Sequence, residues 1–436
     1  MVDMDKLVSF CKQRGFIFPG SEIYGGLSNS WDYGPLGVEL KNNIKQEWWK
    51  RFVRSRGDMV GIDAALIMNP KVWEASGHIG NFTDPLIECK KCHQRFRQDQ
   101  PETHTKGCEG DFTESRMFNL MFKTTIGALE DASGVAYLRP ETAQAMFVDF
   151  KNVVDSSRKR IPFGIAQIGK AFRNEITPGN YIFRTREFEQ MEIEYFIRED
   201  EWETQFDYWL SQMKEWMTFL GLSEKHIHYR DIPAEERAHY SKKTIDIDFE
   251  FPFGVKELYG IAYRTDFDLL QHQSASGQDI RYTDPASGEK FVPHVIEPTF
   301  GVDRSLLAML VEHYHEEEVP TSKDGETDVR VVLKLPKILA PVKVAVLPLS
   351  KKPELENVAK DIADSLRKEY AVMYDETQSI GRRYRRQDEI GTPYCVTVDF
   401  DSLEDHAVTV RDRDTMKQER IVISDLMDFF KEKFSS

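Results

Sequence analysis

Residues 163–196 constrain the fold more than any other stretch. PFGIAQIGKAFRNE is rich in apolar and aromatic residues, ITPGN supplies proline and glycine, and YIFRTREFEQMEIEYF alternates charged with apolar side chains. Strand, turn and strand in that order make an antiparallel hairpin with one charged face. Residues two apart on a strand share a face, so Arg173 lies beside Glu175, and Arg184, Arg186, Glu192 and Glu194 repeat the arrangement on the partner strand. One reading of this face is a cross-strand ladder of salt bridges. The other is a polyanion site, with arginines on phosphates and carboxylates on a cationic group or a metal.

Helices and further strands surround the hairpin. Behind WDYGPLG, Leu40, Ile44, Trp48 and Phe52 recur every fourth residue, one apolar face of a helix with Lys41 and Lys45 on a solvated side. Adjacent Trp48 and Trp49 do not both point at one core, so this helix either packs on its own domain or lies at a subunit interface. Helical spacing also covers 201–220 and 301–314, while 244–251 and 255–264 read as strands. Residues 316–327 are acidic and read as a surface loop. From Ala340 the register changes to strand, helix, strand, strand and helix, one small α/β domain. The expected organisation is an α+β domain over 1–339, an antiparallel sheet flanked by helices, followed by the α/β domain over 340–436. Between 84 and 115 a polar segment with Cys, His and Gly reads as an insertion.

The 436 residues carry 58 Lys and Arg against 73 Asp and Glu, a net charge of −15, with 40% apolar and 12% aromatic content. Such content builds a packed core and excludes a chain disordered throughout. No apolar run approaches the roughly 18 residues of a spanning helix, and MVDMDKLVSFCKQRG lacks a signal-peptide core; a cytoplasmic protein is the expectation. The acidic balance argues against a general nucleic-acid coat but leaves room for an enzyme with a local basic face. Five cysteines are too few for a disulfide scaffold, and three of them crowd together. Cys89, Cys92, His104 and Cys108 would supply a Cys₃His set to zinc; the alternative is a metal-free insertion with leftover thiols.

Three more constellations fall on the presumed sheet: LRPETAQ at 138–144, Glu257 with Glu297, and GVDR at 301–304, where a glycine opens a helix with an arginine in its first turn, a setting that suits phosphate. The WDYGPLG helix, the FRNE hairpin and GVDR resemble motifs one, two and three of class II aminoacyl-tRNA synthetases. The wording WDYGPLGVELKNN, LRPETAQ, FRNEITPGN, FRTREFEQME, ELYGIAYRTDFDL, IEPTFGVDR and SIGRRYRRQDEIGTPYCVTVDF is similar to the homodimeric glycyl-tRNA synthetases over nearly the whole chain.

That resemblance implies glycine activation by ATP, then transfer to the 3′ end of tRNA(Gly), chemistry that needs positioning and electrostatics more than proton transfer. Arg173 and Arg304 would be catalytic, Arg173 on the α-phosphate and the glycine carboxylate, Arg304 with Arg184 on the terminal phosphates. Glu175 would accept from the adenine amino group and Phe188 would stack on the ring. Asn174, Phe183, Thr185, Arg186, Glu187, Leu258, Gly301, Val302 and Asp303 would complete the ATP site, and Glu257, with Glu297, would carry magnesium. Glu141, Glu192 and Glu297 would surround the glycine ammonium, with Thr299 (more often serine in the family) near the α-hydrogens. Arg97, Glu189, Gln190, Met191, Pro298 and Phe300 would line the remainder with Phe188 and Gly301. Such a pocket excludes larger amino acids by steric clash, so no editing domain is needed. The last domain resembles an anticodon-binding domain. There Arg382, Arg383, Arg385 and Arg386 would meet RNA, and Asp412, between Arg411 and Arg413, would read cytosines; a solvated loop is the plainer reading of that basic run. Motif one implies a homodimer joined through the Pro35 helix.

Overall fold

The computed structural model describes residues 2–100, 104, 108–127, 134–320 and 327–435. Among them a seven-stranded sheet forms the centre: β1 (Met59–Gly61), β2 (Phe163–Phe172), β3 (Glu187–Ile197), β4 (Ile227–Asp231), β5 (Lys243–Phe251), β6 (Gly254–Thr265) and β7 (His294–Gly301), in the order β4-β5-β6-β7-β3-β2-β1. Only β1 and β2 pair in parallel. In the β2–β3 hairpin Phe163 faces Phe196 and Phe172 faces Glu187, while β3 lies against β7 with Glu192 opposite Thr299. Arg173, Glu175, Arg184 and Arg186 fall in the connection between the two strands, not on them.

The two-residue alternation divides β3. Gln190, Glu192 and Glu194 point to one face; Met191, Ile193 and Tyr195 point to a core built with α1 (Pro35–Trp49), α2 (Trp202–Phe219) and α3 (Val302–His313). Proline at the first turn pre-sets the backbone of α1, whose Leu40, Ile44 and Trp48, with Phe52 beyond, are completely buried in this core. Trp48 meets Phe300 edge-on at 5.7 Å, and Phe52 packs on Trp209 and Trp216. The interface expected on this stripe is therefore overturned: its own chain covers it. Trp49 reaches the same core from another side, filling the space above Gly61, where a Cβ would stand 2.2 Å from the indole. Lys41, expected in solvent, is buried as well.

In the insertion Thr83–Glu88 pairs with Arg95–Arg97 on one side and Arg116–Asn119 on the other. The expected acidic loop is a second correction. Tyr314–Pro320 and Thr327–Leu333 form a hairpin in which Glu317 lies opposite Arg330, whose charge makes an acidic strand tolerable; residues 321–326 lie outside the described ones. The last domain has its own core around Val346, Leu355, Val396, Val408 and Phe430. Val344–Pro348, Val372–Tyr374 and Tyr394–Val398 are parallel, and Ala407–Asp412 and Gln418–Val422 complete the sheet antiparallel. The basic run lies on a helix, Ile380–Ile390, rather than in a loop. No helix among the described residues is long and apolar enough to cross a membrane.

Candidate active site

The polar face of β3 and the adjoining β6 and β7 gather carboxylates. Glu192 is 2% exposed; its oxygens accept from the Thr142 hydroxyl and, at 3.0 Å, from the Thr299 hydroxyl. Glu297 takes a 2.7 Å bond from Arg264, which also grips Asp268 with two nitrogens and stacks on Tyr240. Glu141 accepts from Gln144 at 3.0 Å and lies 3.3 Å from His78 Nε2. Glu194 is buried beside Glu192 and Glu297, one carboxylate oxygen of each within 4.8 Å of the others, and neither of its oxygens has a hydrogen bond. Burial lifts Glu297 to about 8 past the pull of Arg264, and burial also raises Glu192 and, far more, Glu194. Burial works on Glu141 as well, but His78 and Arg264 outweigh it and hold this acid below its usual range. The pocket thus combines acids of both kinds around an opening of about 380 Å³.

A second cleft of about 250 Å³ shares Arg173, Gln190, Glu257 and Thr299 with that pocket. Arg173 bonds the Pro140 carbonyl at 3.0 Å and lies between the rings of Phe82 and Phe188, 5.4 and 5.2 Å from their centroids. At the far end Arg304 donates to the Glu257 carbonyl at 2.9 Å, lies 3.3 Å from its carboxylate and covers Phe183. Glu175, Arg184, Leu258 and Gly301 line the space between. The second cleft thus joins a cation at Arg304, an aromatic ring at Phe188 and, where it meets the carboxylate pocket, Arg173. That is the arrangement a nucleotide and a small cationic acid need if they are to react.

Several expected residues are elsewhere. Met191, Phe300 and Val302 face the core, by the alternation that brings Glu192 and Thr299 to the pocket. Asn174, Arg186 and Glu187 line a third cavity, of about 700 Å³, with Lys170 and Phe172, which lie on the alternate face of β2; it borders the second cleft at Thr185, Phe188 and Asp303, and Glu141, Glu192 and Glu297 are not in its lining. Glu189 borders the second cleft, but its carboxylate pairs with Lys41 and Lys45. Arg97 is committed to Asp84 and Asp99 in the insertion. Glu297 and Glu257 do not act as a pair: the first belongs to Arg264, the second to the rim beside Arg304. Conversely, sequence reasoning gave no role to His78, Thr142, Arg264 or Asp268. The four-residue spacing of Arg264 and Asp268, charges at the end of an apolar strand, was the available signal.

In the insertion, Cys89, Cys92, His104 and Cys108 bring one ligand atom each to within 4.8 Å of one another. Cys89 and Cys108 are 3.7 Å apart through sulfur, near the roughly 3.8 Å of two thiolates on a tetrahedral zinc with 2.3 Å bonds. The Cys92 backbone amide, with that of Lys91, pulls the Cys89 thiol down to about 6.

Most residues expected to meet RNA have structural work instead. Arg383, 2% exposed, ties the Pro348, Leu349 and Asp375 carbonyls together. Arg386 holds Asp375 and Thr377. Arg411 grips Asp388 with both terminal nitrogens, and Arg413 donates to the Gly391 and Leu335 carbonyls. Asp412 caps the Asp414–Thr415 turn and pairs with Lys337. Arg382 is exposed, and Arg385 is half-buried, 3.4 Å from Asp328.

Residues 125–314 match the family described as tRNA synthetase class II core domain (G, H, P, S and T), and residues 343–433 match the anticodon binding domain. Fold and site together define a class II aminoacyl-tRNA synthetase. Sequence relatives narrow this. The chain is 55% identical to the glycine–tRNA ligase of Alkaliphilus oremlandii, 54% to that of Caldanaerobacter subterraneus subsp. tengcongensis and 53% to that of Geobacillus thermodenitrificans, each over 99% of this chain and 98% of the relative. The chain belongs to the glycine–tRNA ligase family.

Proposed function

We propose that this protein activates glycine with ATP and transfers it to tRNA(Gly). The observation that carries the reading is the shared wall of the two clefts, with Arg173 between the carboxylate pocket and the Phe188–Arg304 cleft. Glycine's ammonium would meet Glu141, Glu192 and Glu297, and its carboxylate would attack the α-phosphorus while pyrophosphate leaves. Arg173 would stabilise charge building on the phosphoryl oxygens, and Arg184 and Arg304 would hold the terminal phosphates. Magnesium, when bound, neutralises phosphate charge, and Glu257 at the rim is the carboxylate suited to it. The Thr299 hydroxyl, turned to Glu192, keeps the bonding a serine would supply. Glycine-dependent exchange of pyrophosphate into ATP tests the reading: strong exchange with glycine and little with alanine or serine is expected, and equal exchange with all three overturns it.

The Cys₃His set would hold one zinc, since its donors and their spacing suit a tetrahedral ion. Reduced thiols, ATP and tRNA fit a cytoplasmic setting. RNA would meet the last domain through Arg382 and Arg385. The chain would pair with a second copy. With the α1 stripe covered, support comes from the segment before it, where Ile23, Tyr24 and Leu27 are 88%, 87% and 66% exposed, an apolar group that a monomer leaves in water.

A further inference from the structure

Lys41 stands at the junction of the two elements that line the nucleotide cleft. Its ammonium is 2.9 Å from Asp303 Oδ1 and 3.1 Å from the Glu189 carboxylate. Asp303 also accepts from the Tyr33 hydroxyl and, through Oδ2 at 2.7 Å, from the Glu189 backbone N–H. Lys45 adds a second ammonium 3.0 Å from Glu189. Two cations and two anions therefore cancel in a space where Lys41 is 9% and Asp303 6% exposed. Burial pulls the Lys41 ammonium down, but Asp303 and Glu189 more than compensate, so the charge persists. The Tyr33 hydroxyl, pushed far up by burial and by Asp303, stays a donor.

The two anions matter for their neighbours. Asp303 lies in the first turn of α3 immediately before Arg304, and Glu189 follows Phe188 on β3. Arg304 and Phe188 are the two ends of the nucleotide cleft, yet α3 and β3 come from distant parts of the chain and α1 from a third. We propose that Lys41 is a positioning residue for ATP: it locks the helix that carries Arg304 to the strand that carries Phe188, and so fixes the distance between the phosphate grip and the base platform. Without it, Asp303 would keep only neutral donors while Glu189 kept Lys45 alone, so the one cation that both carboxylates share would be gone and the contact between the two elements loosened. A displacement of about 1 Å at such a site costs on the order of 10²-fold in rate.

The proposal rests on the ATP reading of the cleft, and the test separates the two. Lys41→Met should raise the KM for ATP in pyrophosphate exchange about tenfold or more and leave the KM for glycine within about twofold. Binding of adenosine, which uses the Phe188 end alone, should be unchanged. Combined with Arg304→Ala, Lys41→Met should add almost nothing, because it acts through that arginine. Tyr33→Phe, which keeps the ring and removes one donor to Asp303, should raise the KM for ATP by a smaller factor. An Arg304→Ala enzyme with unchanged ATP dependence refutes the ATP reading itself. If Arg304→Ala is impaired while Lys41→Met and Tyr33→Phe are not, or if their effects add fully to that of Arg304→Ala, the positioning role is wrong. Should Lys41→Met fail to fold, Tyr33→Phe and its combination with Arg304→Ala decide alone.

Discussion

Arg173 keeps its guanidinium between Phe82 and Phe188 by ring contact and one carbonyl bond, which leaves donors for a phosphoryl oxygen. Arg173→Ala should therefore lower pyrophosphate exchange about 10²-fold or more while the melting temperature hardly moves; near-normal exchange would remove it from the role. The carboxylates make a different forecast. Glu297, lifted to about 8 by burial, is neutral below that value and anionic above it, and only the anion attracts an ammonium. The KM for glycine should fall as the pH rises through about 8, and a flat profile would mean that the pocket is ionised throughout. At this scale the sequence spoke through alternation. Glu192 was legible as a charge that alternates with apolar residues along its strand, whereas Thr299 rested on the family resemblance alone. The same period that brings both residues to the pocket turns Met191 and Phe300 to the core, so only alternate residues of each motif reach the site.

Elements were legible where one face is apolar and local. The hairpin, α1, α2 and α3 follow from spacing alone. What spacing cannot supply is a counter-charge from far along the chain, and that is why Lys41 read as solvated: its partners stand at positions 189 and 303. The helix Ile380–Ile390 fails differently. Five residues of basic and aromatic character look like a patch, but Arg383, Gln387 and Ile390 recur at helical spacing and are all buried. Arg383→Ala should thus destabilise the last domain by roughly 1.5–3 kcal/mol for each carbonyl bond it loses, seen as a lower melting transition. Arg382→Ala should leave stability alone, weaken tRNA charging, spare pyrophosphate exchange and flatten the salt dependence of tRNA binding. Equal damage to both half-reactions from Arg382→Ala would count against an RNA contact there. Trp48→Glu, placed in a completely buried site, should yield little folded protein rather than a soluble monomer.

At the scale of the molecule, the exposed Ile23–Tyr24 pair predicts association. Light scattering should report a dimer at micromolar concentration, and replacing both residues with serine should shift it toward monomer; a wild-type monomer ends that reading. The folding unit and the family boundary also differ. Asp388, buried in the last domain, is held by Arg411 from within and by Arg330 from the preceding hairpin, 2.8 Å away, while Arg413 reaches back to the Leu335 carbonyl. A fragment cut where the anticodon-domain match begins, at 343, would carry Asp388 with one of its two cations missing and Arg413 with an empty donor. For anyone exchanging such domains between related enzymes, the portable module therefore starts near residue 314: both strands of the hairpin travel with the domain, so that Arg330 keeps Asp388 and Glu317 together, or the graft arrives with a buried charge out of balance.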